Sequence, residues 1–111
     1  MEDSKTHDKN YPLAFDDIIL KQLKKAGKNQ QIKEILSNIL DKIEELGPRA
    51  GDLVDSKLFI YEIKLKSPPI RLYFRYNKST NEIYLFEYEM KTSKKKQQKT
   101  IEKIKKKVLE S

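Results

Sequence analysis

The sequence contains no cysteine, and its single histidine, His7, lies in a polar N-terminal segment. Without cysteine the chain has no disulfide framework and no thiolate chemistry. One histidine cannot hold a metal ion alone, and the sequence has no metal-ligand spacing, glycine-rich phosphate loop or Ser/His/Asp arrangement. We therefore predict a protein that needs no metal ion and no other cofactor.

Long hydrophobic runs are also missing. No apolar stretch approaches the roughly 20 residues that cross a bilayer, and no signal peptide is visible. Together with the absence of cysteine, these two features predict a cytoplasmic protein that has no membrane partner.

Charge is abundant and unbalanced. Lysine and arginine number 24 against 17 aspartate and glutamate, which gives a net charge of +7 over 111 residues. This balance favours an anionic partner, either nucleic acid or an acidic protein. The length suits one domain with a modest core, and we predict a flexible tail over residues 1–10 followed by a single domain over residues 11–111.

The first half of the domain predicts two helices. Residues 11–15 are a candidate edge strand, and Asp16 is a plausible N-cap for a helix that runs to about Ala26. A second helix follows, because apolar residues recur at helical spacing until Gly47 and Pro48 end it. This apolar stripe consists of Ile32, Ile35, Leu36, Ile39, Leu40, Ile43 and Leu46. The two helices are predicted to form an antiparallel hairpin with one shared apolar seam.

The second half predicts strands. Residues 49–57 are predicted to form a polar loop, and strands follow over residues 58–65, 70–76 and 83–90. Ser93 is a candidate cap for a C-terminal helix. Because consecutive strands usually pair as an antiparallel meander, the predicted fold is α+β. It has an N-terminal helical hairpin packed on a twisted, mainly antiparallel sheet, with a C-terminal helix.

Cations alternate with apolar residues on the first two of these strands. Lys64 and Lys66 fall at alternate positions on one strand, and Arg71 and Arg75, four positions apart, share a face of the next. Since strand side chains point alternately to opposite faces, the sheet is predicted to have an apolar face against the helices and a cationic face. A cationic face suits a polyanion.

The pairing of these two strands can be predicted as well. If Leu65 pairs with Leu72, the residues that face the helices are apolar on both strands. The same register places Lys66 opposite Arg71. Like charges directly opposite each other destabilise a sheet, and this cost is easier to understand if the face binds phosphate.

Four segments in this half resemble the RelE/ParE superfamily of toxin–antitoxin toxins. They are Tyr61-Glu-Ile-Lys64, Ile70-Arg-Leu-Tyr73, the hydrophobic strand over residues 83–92 that ends in Lys-Thr, and the lysine-rich segment from Ser93 onward. The resemblance covers about residues 13 to 109 and implies a RelE-like fold.

The resemblance also implies a function. RelE-like toxins enter the ribosomal A site and cut mRNA, which inhibits translation, whereas the ParE branch poisons DNA gyrase. We therefore expect the toxin of a type II toxin–antitoxin module that acts as a metal-independent, ribosome-dependent mRNA endonuclease. Its expected partners are a cognate acidic antitoxin, mRNA on the ribosome and rRNA. A gyrase inhibitor, or a non-catalytic relative that binds only an antitoxin or RNA, remains the alternative.

The resemblance further indicates site residues. Lys64, Lys66 and Arg71 match basic positions of the RelE catalytic face, and Lys91 matches a basic residue at the end of the last strand. Three positions depart from the pattern. Some relatives carry lysine where Glu62 stands, many have His-x-Phe where this chain has Phe86-Glu-Tyr88, and Gln97 is the nearest match to a functional tyrosine of some relatives.

RNA cleavage through the 2′-hydroxyl needs a base near that oxygen, cations around the phosphate, and an acid for the leaving 5′-oxygen. Arginine can clamp the phosphate, lysine can move protons, and Glu62, Glu87 or Glu89 can act as the base. Tyrosines can stack on bases. The candidate catalytic residues are Lys64, Lys66, Arg71, Glu87 and Lys91, and the candidate RNA-binding residues are Arg49, Lys57, Tyr73, Arg75, Tyr88, Lys94 and Lys95. The alternative is that these charges form ordinary cross-strand pairs and solvated helix surface.

Overall fold

The structure is a computed structural model that describes residues 10–91 and 93–111. Residues 1–9, most of the predicted tail and the position of His7, lie outside the described residues. The elements are β1 (Leu13–Phe15), α1 (Asp17–Ala26), α2 (Gln30–Leu46), a 3-10 helix (Gly47–Ala50), β2 (Asp52–Asp55), β3 (Ile60–Lys66), β4 (Pro69–Asn77), β5 (Glu82–Met90) and α3 (Lys94–Glu110).

The five strands form one sheet in the order β1-β5-β4-β3-β2. β1 runs parallel to β5 at one edge, and the other neighbouring strands pair antiparallel. The predicted α+β fold with a mainly antiparallel sheet is therefore confirmed, and so is the N-terminal edge strand. The prediction of a polar loop over residues 49–57 is wrong, because this stretch contains part of the 3-10 helix and the edge strand β2.

Side chains cap the N-terminus of each helix in the hairpin. The Asp16 carboxylate accepts a hydrogen bond from the Ile18 N–H, which confirms the predicted cap of α1. The Asn29 side chain accepts one from the Ile32 N–H at the start of α2. These bonds satisfy amide groups that have no partner inside the helix. Both helices pack on one face of the sheet, over a core of Ile19, Leu36, Ile39, Ile43, Ile63, Ile70, Leu72, Phe74, Ile83 and Leu85.

The opposite face of the sheet is covered by α3. Ser93 caps this helix by accepting a hydrogen bond from the Lys96 N–H. The apolar stripe of α3 packs on the sheet and forms a second core of Ile60, Tyr73, Phe86, Ile101 and Ile104. The prediction of an open cationic face is therefore wrong over this region. The strand positions opposite the hairpin also carry buried carboxylates, which α3 covers.

The register of β3 and β4 differs from the predicted one by two residues. Leu65 pairs with Ile70, and Lys64 rather than Lys66 lies opposite Arg71. The turn closes on Ser67 and Pro68 alone, so that Pro69 already belongs to β4. Because the shift is even, the predicted faces of both strands are preserved while every cross-strand partner changes.

A β-bulge interrupts β5. Tyr73 of β4 pairs with Glu87, but the next residue, Phe74, pairs with Leu85, so Phe86 is an extra residue on β5. A bulge of this kind shifts the alternation of side chains along its strand. Phe86 and Glu87 consequently both lie on the α3 face, and Tyr88 returns to the hairpin face.

Within residues 10–91 and 93–111, no helix combines the length and apolar character that crossing a bilayer requires.

Candidate functional site

Arg71 and Glu62 form an ion pair beneath the first turns of α3. Arg71 Nη1 lies 2.7 Å from Glu62 Oε2, and the exposed fractions of the two side chains are 17% and 7%. Gln97 of α3 donates its amide N–H to Glu62 Oε1 at 2.7 Å. Gly51 packs against the backbone of this position, since a Cβ there would lie 2.5 Å from the Glu62 carbonyl oxygen. Glu62 is thus held between an arginine of β4, an amide of α3 and a backbone contact from below.

Tyr73 and Glu89 form the second part of the site. The Tyr73 side chain is fully buried, and its hydroxyl donates to Glu89 Oε2 at 3.1 Å. The Thr100 hydroxyl of α3 donates to the other oxygen of Glu89. Burial and the neighbouring Glu89 carboxylate raise the pKa of Tyr73 far above its ordinary value. The tyrosine therefore remains a neutral hydrogen-bond donor.

Glu87 forms the third part. Lys103 Nζ of α3 lies 3.0 Å from Glu87 Oε1. The other carboxylate oxygen, Oε2, is buried and has no hydrogen-bond partner among the described residues. A buried carboxylate oxygen without a donor is uncommon, because loss of hydration is then uncompensated.

The sheet register brings these three parts together. Arg71 pairs with Glu89, and Tyr73 pairs with Glu87, across β4 and β5. Three carboxylates therefore lie side by side under α3. Arg71 and Lys103 form ion pairs with two of them. The third, Glu89, is bound by the hydroxyls of Tyr73 and Thr100. Among the described residues, no group of His, Cys, Asp or Glu side chains is arranged to hold a metal ion.

The remaining predicted catalytic residues lie outside the part of the sheet that α3 covers. Lys64 and Lys66 are exposed on β3, and both line a shallow pocket of about 300 Å³ that Arg71 also lines. Lys91 is exposed at the end of β5, with a φ of 52°, and its N–H donates to the Pro69 carbonyl. Lys64 is the cation that the sheet places directly opposite Arg71.

The predicted RNA-binding residues are spread over several surfaces. Tyr73 is buried, so a base cannot stack on it in this conformation. Tyr88 packs on the hairpin side of the sheet, where burial raises its pKa. Arg75 donates from Nε to the Leu58 carbonyl at 3.1 Å. The other four are exposed and lie outside the carboxylate cluster: Arg49, Lys57, Lys94 and Lys95.

Three polar residues of α3 complete the site: Gln97, Thr100 and Lys103. The resemblance indicated Gln97 only as the nearest match to a functional tyrosine of some relatives, and no role was predicted for Thr100 or Lys103. Gln97 and Thr100 continue the stripe of Ile101 and Ile104 at spacings of three and four, so they share its buried face. Polar residues on an apolar stripe are a signal for buried hydrogen bonds, and this signal was available in the sequence.

Two further ion pairs anchor the far end of α3. Lys107 Nζ lies 3.1 Å from Asp16 Oδ2, and Lys105 Nζ lies 3.3 Å from Asp55 Oδ2. Burial acts to raise the pKa of Asp16, but hydrogen bonds from the Ile18 N–H, the Tyr84 hydroxyl and Lys107 outweigh it and lower this pKa.

The pKa of Asp55 is lowered as well. A hydrogen bond from the Leu58 N–H is the main cause, and the ammonium of Lys105 adds to it. Burial and the Asp16 carboxylate raise the pKa of Tyr84 to about 12. Both anchoring aspartates are therefore held in the charged form that attracts α3.

Solved structures provide the comparison with known proteins, since no family model and no curated protein matches the chain. A chain of the intact E. coli RelBE toxin–antitoxin complex is 25% identical, with a TM-score of 0.60, and the match covers 75% of this chain and 99% of that one. A free mutant of the E. coli toxin RelE is 23% identical, with a TM-score of 0.64 and coverage of 86% and 98%. The Mycobacterium tuberculosis RelBE2 toxin–antitoxin complex has a chain that is 12% identical, with a TM-score of 0.60 and coverage of 76% and 94%.

Proposed function

We propose that this chain, a member of the RelE-like toxin superfamily by its fold, is the toxin of a toxin–antitoxin module and a ribosome-dependent mRNA endonuclease. The observation that carries the proposal is the pair of Glu62 and Arg71, with Lys64 opposite Arg71 on the same face of the sheet. A carboxylate, a guanidinium and an ammonium are the three groups that cleavage through the 2′-hydroxyl requires.

Each group has one role in this reaction. Arg71 binds the scissile phosphate and stabilises the charge that develops on it. Glu62 accepts the proton of the 2′-hydroxyl as its oxygen forms a bond to phosphorus, and Lys64 gives a proton to the 5′-oxygen as its bond to phosphorus breaks. The products are a 2′,3′-cyclic phosphate and a 5′-hydroxyl. No metal ion takes part.

The cover of α3 has to open locally for this reaction. Gln97 occupies one oxygen of Glu62 and Arg71 occupies the other. A phosphate that binds Arg71, together with rotation of the Gln97 side chain, leaves Glu62 free to act as a base. Binding of RNA and activation of the carboxylate are therefore one event.

The expected partners follow from the charges of the surface. Exposed cations on several elements suit the rRNA backbone, and such contacts are non-specific and salt-sensitive; they are Arg49, Lys57, Lys66, Lys91, Lys94 and Lys95. A net charge of +7 also suits an acidic antitoxin, and the E. coli RelBE complex is an example of a similar chain bound to its antitoxin.

The test is cleavage of mRNA on programmed ribosomes in the presence of a chelator. We expect cleavage by the unaltered protein and a loss of about 100-fold for Arg71→Ala, which removes the charge that stabilises the transition state. Glu62→Gln and Lys64→Ala should also reduce the rate. Lys42→Ala, which removes an exposed lysine of α2 on the other side of the sheet, is the matched control. Circular dichroism of each variant separates lost chemistry from lost folding.

Two outcomes would contradict the proposal. If the unaltered protein leaves mRNA intact, the nuclease assignment fails, and a gyrase supercoiling assay then tests for an inhibitor. If cleavage survives in all three site variants, the active site lies elsewhere on the chain.

A further inference from the structure

An open cleft of about 680 Å³ lies beside the carboxylate cluster. Its walls come from the α1–α2 turn on one side and from α3 on the other, and the second half of β5 forms its floor. Ligand clefts commonly have volumes of roughly 300–1,000 Å³, so the space is sufficient for a nucleotide.

Among the described residues, a single buried carboxylate oxygen has no donor, and it belongs to the floor of the cleft. Glu87 is 6% exposed and lines the cleft, and its Oε2 has no hydrogen-bond partner among the described residues. Its other oxygen is bound by Lys103, whose side chain is 54% exposed. Lys103 can therefore swing outward and uncover the carboxylate. Glu87 Oε2 lacks a hydrogen-bond donor, which a bound molecule would have to supply.

The rim of the cleft has the opposite charge. Lys25 from α1 and Lys96 and Lys103 from α3 line it on two sides. A molecule that fits both parts carries anionic groups at its outer end and a hydrogen-bond donor at its inner end.

An acidic peptide also satisfies the lysines, and its backbone N–H groups can donate to Glu87. A nucleotide meets both requirements as well, because phosphate binds lysine and the exocyclic amino group of a base donates to a carboxylate. The nucleotide is favoured because Glu89, which lines the cleft, pairs with Arg71 across β4 and β5, so the cleft continues from the residue that would hold the scissile phosphate.

We propose that this cleft binds one nucleotide of an RNA strand, with Glu87 accepting a hydrogen bond from a base amino group and the rim lysines binding the flanking phosphates. The inference rests on the proposed function, since the nucleotide belongs to the RNA that Arg71 would hold. Uracil has no amino group, and its ring N–H lies between two carbonyl oxygens that repel a carboxylate, so the site discriminates against uracil and in favour of cytosine, adenine and guanine. Glu87 is thus a base-recognition residue rather than the proton acceptor that the sequence predicted.

The first test needs no variant. Binding of fluorescent tetranucleotides of cytidine and of uridine to the complete protein is measured by anisotropy at low salt. We expect roughly tenfold tighter binding of tetracytidine, the effect of one hydrogen bond to a charged group. Equal affinities, or no binding of either tetranucleotide, would overturn the inference.

Variants separate the base contact from the phosphate contacts. Glu87→Gln should abolish the preference for cytidine, because an amide can donate to the uracil carbonyl as well as accept. Lys25→Gln should weaken the binding of both tetranucleotides equally. It should also reduce the slope of log affinity against log salt concentration by about one unit. The control is Glu45→Gln, which replaces an exposed carboxylate of α2 by a carboxamide and should change neither the affinity nor the preference. Thermal unfolding confirms that each variant is folded.

The remaining outcomes also discriminate. Arg71→Ala should lose cleavage but keep the preference for cytidine, so a failed cleavage assay with intact preference would remove the nuclease and leave the nucleotide site. Cleavage with no base preference would support the nuclease and remove the nucleotide site. If Glu87→Gln keeps the preference and instead weakens binding of the antitoxin, the free oxygen serves a protein partner and the inference is wrong.

Discussion

Arg71 and Glu62 are diagonal neighbours on adjacent strands rather than direct partners. Arg71 lies opposite Lys64 and Glu62 lies opposite Tyr73, yet the arginine reaches across to the carboxylate at 2.7 Å. Long side chains can span such diagonals in an antiparallel pair. The carboxylate thereby neutralises Arg71 beside Lys64. The two like charges can therefore lie opposite each other on adjacent strands.

The ion pair should be far more costly to break than to replace. Arg71→Met leaves the buried Glu62 carboxylate without its cation, and we expect a loss of about 3 kcal/mol in the free energy of unfolding. Urea denaturation followed by circular dichroism measures it. The double variant Glu62→Met/Arg71→Met should recover most of this loss, since apolar side chains of similar size often replace a buried pair without cost. Equal stability of the single variant and the unaltered protein would show that the pair is not buried in solution.

The hydroxyl of Tyr73 should stabilise the fold through Glu89. Tyr73→Phe removes a donor to a buried carboxylate, and hydrogen bonds to charged groups contribute about 1.5–3 kcal/mol. The matched control is Tyr61→Phe, because the Tyr61 ring stacks on Phe74 and its hydroxyl has no hydrogen bond among the described residues. Urea denaturation of both variants gives the comparison. If the two variants lose the same amount, the bond to Glu89 contributes nothing.

Docking of α3 should weaken in acid. The pKa values of Asp16 and Asp55 are lowered in the folded state, so their contribution is fully present above the unfolded pKa of about 4. It is lost as the pH falls through the lowered values, because the unfolded chain then binds more protons. The free energy of unfolding, measured between pH 7 and pH 3, should therefore fall less steeply in Asp16→Asn and Asp55→Asn. Curves parallel to that of the unaltered protein would exclude these two anchors.

Gln22 should protect an open edge of the sheet. Its side-chain amide donates to the Tyr88 carbonyl and accepts from the Tyr88 N–H, both at 2.9 Å, as a neighbouring strand would. Gln22→Ala exposes this edge, and exposed edges pair with other chains. We expect concentration-dependent self-association in sedimentation experiments, with Lys21→Ala as the control. A strictly monomeric Gln22→Ala protein would contradict this role.

Binding of the antitoxin should depend on salt through its rate of association. A basic chain and an acidic partner attract each other before contact, and salt screens this attraction. Stopped-flow mixing with the product of a neighbouring gene should show association that slows as salt rises while dissociation changes little. The absence of any complex at low salt would remove the main support for a toxin–antitoxin pair.

The helices were predictable from local signals. Asp16 and Ser93 cap their helices as expected, and the apolar stripe of α2 packs on the sheet. The faces of β3 and β4 were also predictable, because alternation fixes which residues share a side. The resemblance to RelE/ParE toxins, found in short motifs, is confirmed by the solved structures of RelE chains.

The parts that sequence could not provide depend on contacts distant in the chain. The two-residue turn at Ser67 and Pro68 decides the register, and a longer turn fits the pattern equally well. The short edge strand β2 has few apolar residues, so it resembles a loop. The apolar stripe of α3 signals that Thr100 is buried and hydrogen-bonded, but the identity of its partner, Glu89, follows only from how α3 packs on the sheet.

The bulge at Phe86 decides where β5 can change its length. Phe86 is the extra residue of the ladder, so deleting it would restore regular alternation and leave Glu87 and Glu89 toward α3 and Tyr88 toward the hairpin. A one-residue deletion at Tyr88, where the pairing is regular, would instead turn Glu89 toward the hydrophobic core. Evolution of β5 can therefore lose a residue at the bulge without inverting the strand, and an alignment that places a gap at Phe86 keeps the carboxylates of its relatives on the α3 face.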